Sequence, residues 1–500
     1  MPRDLLRLSR DPWLWTGVLA AALLVLPIAV AHHLNVVDGP GHEARLAVLR
    51  DVVIAGRDSP AYKITSFFLP NIAYDVIGLA LAWLSGPEAA ARIFLGATFV
   101  LTLAGAMVLG RAATGRWSLV PLAAAFVVHN LFVVQGSLNY VFGLAVVPWA
   151  LALRLKLDGP RGFVPGALAA IALLFCHLFD FGLYAVMVFG FAIAEWRRRD
   201  ISYSGFAARL LEFAPALFLL ALMQHDPSRN LQYGHFAGKL TGILKAFTCG
   251  SVAGDVAFLA GMALFAACMV WLRARIARPL VPGLMLLAAV YLALPDELGH
   301  ASYIDKRVLI AIALFLIAGL DARLPRSMGS TVLAALIAAA FVAKQGALAV
   351  LWQRMDPRIE AAAMAVDSVP RGGEIFRAEC RPADTSLDVY RAHQPALTHA
   401  PAFATFDQGR FYGGIWAIPG QQPISVRPEY RAAYDLQTGI GWSVCAGKSL
   451  QKVASRIRAL DDGRPHYLFV IRPAKPRSLA PENALIAAGG DFELYRIGPR

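Results

Sequence analysis

The stretch that decides the fold of this chain reads His32-His33-Leu34-Asn35-Val36-Val37-Asp38-Gly39-Pro40-Gly41-His42-Glu43-Ala44-Arg45. It follows an apolar run at 13–31, which is longer than the apolar core of a typical secretion signal and has no small-residue cleavage site after it. It is therefore expected to stay attached as a membrane helix. The stretch then places Asp38 in a tight turn formed by Gly39-Pro40-Gly41, and a helix pattern begins at Glu43.

The composition indicates a membrane protein. Of the 500 residues, 57% are hydrophobic and only 16% are charged, and the mean hydropathy is +0.54. A water-soluble chain of this length needs more polar surface. The net charge of +13 does not indicate nucleic-acid binding, because the arginines cluster in short loops between apolar runs, as in cytoplasmic loops of membrane proteins.

Apolar runs of membrane-spanning length recur along the first 352 residues. The predicted segments are 13–32, 67–86, 91–110, 118–135, 139–155, 163–178, 180–195, 206–223, 255–272, 279–295, 308–322 and 329–350. We therefore predict an all-α polytopic membrane domain at 1–352, with about eleven to twelve transmembrane helices and a large first outer loop at 33–90. The arginine-rich loops place the N-terminus in the cytoplasm.

One segment disturbs this topology. Between two cytoplasmic loops the number of crossings must be even, but three apolar runs lie between Arg10 and Arg111. The run at 67–86 contains Pro70, Asn71 and Asp75, so one explanation is that it lies at the outer interface without crossing. The alternative is that it crosses and that the loop after Arg111 lies outside.

The chain changes character after Trp352. Residues 353–500 contain no membrane-length run but do contain strand patterns at 466–471 and 492–496 and a helix pattern at 449–460. This predicts a small α+β soluble domain outside the cytoplasm, in the periplasm. Its two cysteines, Cys380 and Cys445, could form a disulfide there or remain free.

Asp38 is the first candidate for chemistry. A carboxylate at the outer end of a helix can act as a general base when desolvation raises its pKa, or it can bind a divalent cation such as Mg or Mn. His42 and Glu43 are near enough in sequence to assist. The helix that follows is expected on the membrane surface, with Arg45 and Arg50 facing water or lipid headgroups. The competing interpretation is that Asp38 caps this helix in a solvated loop.

Other polar residues near the predicted outer ends of helices are candidates for substrate binding. They are Lys63, His177 with its neighbour Asp180, His225, Asp305, Lys306 and Arg307. Lysine and arginine can hold a phosphate, and their position outside runs against the usual charge bias. Each also has a structural interpretation: interfacial anchoring for the basic residues, an exposed loop for His225, and a stabilised turn for His177 and Asp180.

The layout resembles the GT-C superfamily of integral membrane glycosyltransferases, which use polyprenyl-phosphate-linked sugars. Val37–Arg45, Leu69-Pro70-Asn71 and the stretch Gly86–Arg92 carry the resemblance, in that order. It implies that Asp38 lies near the reacting centre, as base or metal ligand. Two features depart from the superfamily pattern: the next acid after Asp38 is Glu43 rather than an adjacent one, and no Glu-Lys-Pro or Lys-Pro-Pro element follows.

The leading functional hypothesis is therefore a glycosyltransferase of a bacterial inner membrane. It would transfer a sugar from a polyprenyl-phosphate-linked donor to a glycan, lipid or protein acceptor at the periplasmic face. Asp38 would activate the acceptor, and Arg307 with Lys306 or Lys63 would neutralise the departing phosphate. The alternatives are a transporter or flippase of a lipid-linked or amphipathic solute, or a non-catalytic membrane scaffold. The absence of a sequence repeat argues against the transporter.

Overall fold

The structure is a computed structural model of the whole chain. It describes residues 12–157, 159–223, 230–299, 301–323, 325, 327–379, 395–440, 448–460, 462–471, 479 and 483–498. Cys380, Cys445 and His225 lie outside the described residues.

Helices dominate the chain up to residue 367. In order they are α1 Pro12–Ala29, α2 Gly39–Leu49, α3 Ala73–Ser85, α4 Pro87–Thr114, α5 Ala125–Val128, α6 Leu131–Gln135, α7 Leu138–Lys156, α8 Phe163–Cys176, α9 Leu178–Arg197, α10 Tyr203–Leu211, α11 Ala214–Leu222, α12 Phe236–Ala246, α13 Val252–Trp271, α14 Val281–Ala293, α15 Ile304–Gly319 and α16 Met328–Asp367. In the described residues after 367, two more helices follow, α17 Arg431–Thr438 and α18 Lys448–Arg458. Every predicted apolar segment falls on a helical region.

Strands are short before residue 370. They are β1 Tyr62–Ile64, β2 Leu231–Gln232, β3 Arg275–Ile276, β4 Glu297–Leu298, β5 Ala301–Ser302 and β6 Leu320–Asp321. The later strands are β7 Glu374–Glu379, β8 Phe411–Tyr412, β9 Ile424–Val426, β10 His466–Ile471, β11 Ala484–Ala488 and β12 Phe492–Arg496. The larger sheet has the order β11-β12-β10-β7-β8, with β10, β7 and β8 parallel. The predicted α+β tail is confirmed.

Six helical spans in the described residues are long and apolar enough to cross a membrane. They are Pro87–Thr114, Leu138–Lys156, Leu178–Arg197, Tyr203–Leu222, Val252–Trp271 and Met328–Asp367, and five shorter apolar helices accompany them. The fold is thus that of a multi-pass membrane protein. The debated run at 67–86 forms only the 13-residue helix α3. At 1.5 Å per residue such a helix is about 20 Å long, the same length as α14, so helix length does not separate the two interpretations.

The chain divides into two compact units that do not follow chain order. The helical unit consists of residues 1–29, 70–74 and 95–350. The mixed unit consists of residues 30–69, 75–94 and 351–500. The C-terminal sheet therefore belongs to the same unit as α2 and α3, although the sequence groups those helices with the membrane domain.

In the helical unit, small residues allow close helix packing. Helix α9 packs on α14, and a Cβ added to Gly190 would lie 2.4 Å from the backbone of Gly283. Such approaches are typical of packed membrane helices, where van der Waals contact replaces the hydrophobic effect. Farther along, the buried Lys344 donates to the carbonyl groups of Phe126 and His129, 2.5 and 3.0 Å away, near the end of α5. A buried charge therefore satisfies a broken helix end.

In the mixed unit, α2 is buried rather than lying on a surface. Ala44, Val48 and Leu49 belong to the same apolar core as Phe376 and Leu468 of the sheet. Arg45 is only 1% exposed, so the prediction that it faces water or headgroups is wrong. The physical reason is a buried partner: the Arg45 Nε donates to Asp75 Oδ1 at 2.5 Å, and this ion pair replaces water around the guanidinium.

Candidate active site

Asp38 occupies the N-cap position of α2, but its side chain makes no capping hydrogen bond. The turn depends on Gly39, because an added Cβ there would lie 3.1 Å from the Leu34 carbonyl oxygen. Pro40 fits the first turn of the helix, where a missing N–H is harmless. The helix therefore begins at Gly39, four residues earlier than predicted, and the carboxylate remains available for chemistry.

Three side chains from the C-terminal part of the mixed unit surround Asp38. His399 Nε2 lies 3.6 Å from Asp38 Oδ1. Arg377, on β7, lies beside this histidine, with its Nη1 3.3 Å from His399 Nε2. The indole of Trp416 also acts on the carboxyl group, and its ring centroid is 5.6 Å from that of His399. We call Asp38, Arg377, His399 and Trp416 the Asp38 cluster.

The backbone around this cluster is constrained. His399 sits in the 3-10 stretch Pro395–Thr405 at a kink with φ −117° and ψ 16°, and α2 packs against that stretch. Trp416 has φ +57°, a left-handed conformation that is uncommon for residues other than glycine. Strained residues of this kind often occur at functional sites, where the surrounding structure holds them.

Burial raises the pKa of the Asp38 carboxyl from 3.8 to about 7, because desolvation disfavours the charged form. The positive charges of Arg377 and Arg45 and the nearby indole of Trp416 oppose this effect only in part. A side chain that is 28% exposed still reaches solvent. Asp38 can therefore exchange a proton near neutral pH, as a general base requires.

His399 is held as a neutral imidazole. Desolvation and the charge of Arg377 lower the pKa of His399 well below its usual value. A guanidinium can only donate, so the contact with Arg377 assigns the lone pair to Nε2 and the proton to Nδ1. Nδ1 lies 3.4 Å from the Tyr412 hydroxyl. The imidazole therefore lies beside the Asp38 carboxyl group as an uncharged ring, with its Nε2 lone pair facing the Arg377 guanidinium.

The predicted helpers of Asp38 lie near it on the same helix. His42 Nδ1 accepts from the Arg45 guanidinium at 2.9 Å, which continues the Asp75–Arg45 ion pair along α2. Glu43 is 1% exposed, and desolvation together with the Glu88 charge raises its pKa well above the usual range. Its Oε2 has no hydrogen-bond partner among the described residues. Burial therefore favours the protonated, uncharged form of Glu43.

Lys63 is not part of this cluster in the described structure. It lies exposed on β1, opposite Ser425 of β9. The predicted role of Lys63 toward a phosphate stays a prediction.

Within the helical unit, Arg307 is buried in an aromatic environment. Its guanidinium lies 4.9 Å from the ring centroid of Phe132 and 4.7 Å from that of Tyr140. The Tyr140 hydroxyl donates to the Arg307 carbonyl oxygen at 2.8 Å. The Arg307 Nε has no hydrogen-bond partner in the described part of the chain. A buried guanidinium with an unused donor is suited to a phosphate.

Asp180 and His177 lie beside this arginine, and its charge acts on both. Asp180 is fully buried, and neither carboxylate oxygen has a hydrogen-bond partner among the described residues. His177 Nδ1, 3.7 Å away, already accepts the Phe179 N–H, so it has no proton to give Asp180. We call Tyr140, His177, Asp180 and Arg307 the Arg307 cluster. It combines an unused donor with unused acceptors.

Lys306 and Asp305 form a different arrangement from the predicted phosphate site. The Lys306 ammonium bonds to Asp296 at 2.5 Å and to Asp305 at 3.2 Å, and Lys239 bonds to the other oxygen of Asp305. These contacts neutralise Lys306 internally. Of the two basic neighbours at this helix end, Arg307 is thus the better candidate for an anionic ligand.

A divalent cation does not fit the Asp38 cluster. Mg and Mn prefer several oxygen ligands, whereas the groups acting on Asp38 are two guanidinium groups and an indole, with an imidazole close by. Elsewhere in the mixed unit, Glu374, Asp462 and His466 bring three ligand atoms within 4.8 Å of one another. There, however, Arg464 donates to Glu374 at 2.7 Å. Desolvation lowers the pKa of His466, but the neighbouring Glu374 and Asp462 carboxylates raise it by more, so the net shift is upward. The trio is better described as an ion-pair cluster.

No local sequence pattern marks Arg377, His399 and Trp416 as site residues. They lie more than 300 residues from Asp38, and no short motif connects them. All six residues of β7 are buried although Glu374, Arg377 and Glu379 carry ionisable groups, and buried groups of this kind usually have specific partners.

The chain is similar in structure to solved proteins. It superposes on ArnT from Cupriavidus metallidurans bound to undecaprenyl phosphate with a TM-score of 0.51 at 13% identity, covering 98% of this chain and 100% of that chain. The apo state of the same protein gives 0.49 at 12% identity, covering 98% and 99% of the two chains. Arabinofuranosyltransferase AftD from Mycobacteria gives 0.47 at 15% identity, covering 97% of this chain and 40% of that one.

No protein-family model and no curated protein matches the sequence. The likeness to ArnT with bound undecaprenyl phosphate covers nearly all of both chains. The chain therefore has the fold of that protein.

Proposed function

We propose that this protein is a glycosyltransferase that moves a sugar from a polyprenyl-phosphate-linked donor to an acceptor hydroxyl. The observation that carries the proposal is the Asp38 carboxyl, whose pKa of about 7 fits a general base. It lies in the first loop after α1, the position that the GT-C resemblance implies for the reacting acid. The likeness to a protein solved with undecaprenyl phosphate supports a polyprenyl carrier.

In the proposed reaction, the ionised Asp38 carboxylate accepts the proton of the acceptor hydroxyl. The acceptor oxygen forms a bond to the anomeric carbon while the bond from that carbon to the phosphate oxygen breaks. The polyprenyl phosphate leaves with the electron pair. Neutral His399 accepts a proton less readily than Asp38, and Arg377 keeps the carboxylate ionised over a wider pH range.

The Arg307 cluster is proposed to bind the donor. The buried guanidinium of Arg307 would hold the phosphate, and the unused oxygens of Asp180 would accept hydrogen bonds from sugar hydroxyls. Both assignments use groups whose burial without partners is unfavourable, so a ligand that satisfies them gains affinity. No step is assigned to a divalent cation, because the residues around Asp38 do not fit one.

The proposal is tested with a deletion strain that expresses the wild type, Asp38→Asn or Asp58→Asn. Asp58 is a matched control, because it lies in the same loop, is 82% exposed and pairs with Arg427. We expect one surface glycan, glycolipid or glycoprotein to be lost in the deletion strain, restored by the wild type and Asp58→Asn, and not restored by Asp38→Asn. Identical glycans in the deletion and wild-type strains would refute the function.

We further propose that the protein lies in a bacterial inner membrane with its N-terminus in the cytoplasm and its C-terminal domain in the periplasm. The arginine-rich loops support this orientation. Alkaline phosphatase fused to the C-terminus should be active, because the enzyme matures only in the periplasm. An inactive phosphatase fusion, combined with an active cytoplasmic reporter at the same point, would show that the C-terminal domain lies in the cytoplasm.

A further inference from the structure

The C-terminal sheet borders a cavity that the proposed reaction does not use. Its volume is about 570 Å³, within the range of small-molecule pockets. The charged lining residues are Arg458, Arg464, His466 and Arg496, and the described lining contains no carboxylate. Leu460, Pro465 and Ile497 add an apolar wall. The pocket therefore concentrates positive charge in a concave site.

Internal contacts hold two of these cationic groups in position. Arg464 donates to Glu374 at 2.7 Å and to the Glu429 carbonyl oxygen at 3.0 Å, and its guanidinium stacks 3.9 Å from the ring centroid of Tyr430. Arg458 donates to Asn483 at 3.2 Å. A ligand would meet side chains that are already ordered, so its binding loses less conformational entropy.

The acids behind the pocket compensate the charges of Arg464 and His466, but neither of these acids faces Arg496. Glu374 is fully buried and faces Arg464 and His466, and Asp462 pairs with His466 at 3.0 Å. Arg496 is exposed at the end of β12, and no acid faces it in the described lining. The position of Arg458 in the last turn of α18 has an ordinary explanation in the helix dipole. That explanation does not extend to Arg464 or Arg496, which lie on other segments.

We propose that this pocket binds a small ligand through a phosphate monoester group. Guanidinium groups bind phosphate in a planar, two-pronged geometry, and several around one cavity select for an oxyanion over chloride. The volume also accommodates a sugar-sized group attached to the phosphate. The site is separate from the Asp38 cluster and does not depend on glycosyl transfer.

The test uses the full-length protein in detergent and isothermal titration calorimetry at constant ionic strength. The probes are inorganic phosphate, glucose 1-phosphate and dihexanoyl phosphatidic acid, with sodium chloride as the reference. Arg496→Gln removes an exposed charge and should not disturb folding, and Arg458→Gln provides a second variant. Arg431→Gln is the matched control, because that exposed arginine of α17 pairs with Asp435 outside the pocket.

We expect at least one phosphate probe to bind the wild type, and Arg496→Gln and Arg458→Gln to weaken it by about tenfold, as for the loss of one charge-assisted hydrogen bond. Arg431→Gln should bind like the wild type. Tighter binding of glucose 1-phosphate supports a soluble sugar phosphate as the source, and tighter binding of the lipid ester supports a headgroup. Absence of binding beyond chloride, or equal binding by all variants, would overturn the proposal.

Discussion

The Asp38 cluster and the Arg307 cluster both combine acids, histidine and arginine, but they use these groups in opposite ways. In the Asp38 cluster, arginines act on a carboxyl that still reaches solvent, and its pKa lies near neutrality. In the Arg307 cluster, the carboxylate of Asp180 is fully buried and its oxygens have no described hydrogen-bond partner. The first arrangement suits the transfer of a proton, and the second suits the binding of a polar ligand.

The same residue types therefore serve different roles in the two clusters, so residue type alone does not predict the role of a cluster. A histidine lies within 4 Å of the acid in both clusters. Next to Asp38 the histidine lone pair accepts from the guanidinium of Arg377, whereas next to Asp180 it accepts from the backbone N–H of Phe179. The hydrogen bonds around each pair, rather than the pair itself, separate chemistry from binding.

The largest expected effect is that of Asp38→Asn. Sugar transfer should fall by about 10²- to 10⁴-fold, the usual contribution of a general base, while binding of undecaprenyl phosphate should not change. The folded pKa of about 7 exceeds the ordinary 3.8, so ionisation destabilises the fold as pH rises from about 4 to 7. The melting temperature of Asp38→Asn at pH 8 should therefore not fall below that of the wild type. Wild-type transfer activity in Asp38→Asn would show that Asp38 is not the general base, and the two clusters would then not differ in this respect.

The next effect concerns the donor site. Arg307→Gln should weaken binding of undecaprenyl phosphate by about tenfold or more, because a buried charge-assisted contact is lost. Arg307→Lys should recover only part of this affinity, because an ammonium lacks the planar fork. The measurement is equilibrium binding of the lipid in detergent, and Lys306→Met serves as the control because Lys306 is already paired with Asp296 and Asp305. Equal affinity of Arg307→Gln and the wild type for the lipid would show that Arg307 does not bind the donor phosphate.

A smaller effect is expected in the pH profile of kcat/KM. Transfer should decline as pH falls through about 7, because Asp38 must be ionised to accept a proton. Arg377→Gln removes a positive charge that lowers this pKa, so the acidic limb should move upward by up to about one pH unit. Arg377→Lys retains the charge and should leave the limb close to its wild-type position. A purely structural role of Arg377 would lower activity without moving the limb.

The smallest effect is expected from metal removal. The residues acting on Asp38 do not form an oxygen-rich cation site, so treatment with EDTA should change transfer less than twofold, about the scatter of such assays. Addition of Mg or Mn after chelation should restore nothing. A loss of activity that Mg reverses would show that the proton-transfer description of the Asp38 cluster is incomplete.

Much of the candidate site could be predicted because its first member lies in a local pattern. Asp38 stands out at the end of an apolar run and beside Gly39-Pro40-Gly41, and both signals depend only on neighbouring residues. Arg307, His177 and Asp180 could be selected as polar groups at helix ends for the same reason. Arg377 and His399 could not, because their importance arises from contacts between residues distant in sequence, and a single sequence carries no record of such contacts.

Arg45 illustrates a second limit. Its position on a helix beside the membrane predicted an exposed cation, yet it is 1% exposed and paired with Asp75 from α3. A buried charge is favourable only when a partner replaces its hydration, and the presence of that partner depends on how distant helices pack. Helix propensity and apolar periodicity contain no information on this point.

The sequence by itself determined the membrane class, the positions of the helices and the change to an α+β tail. These properties follow from the length and periodicity of apolar runs, which are local and additive. Only the tertiary structure decided that α2 and α3 share a unit with the C-terminal sheet and that Arg377 and His399 surround Asp38. The pKa of Asp38 belongs to the same category, because desolvation and charge depend on distances in space that chain order does not fix.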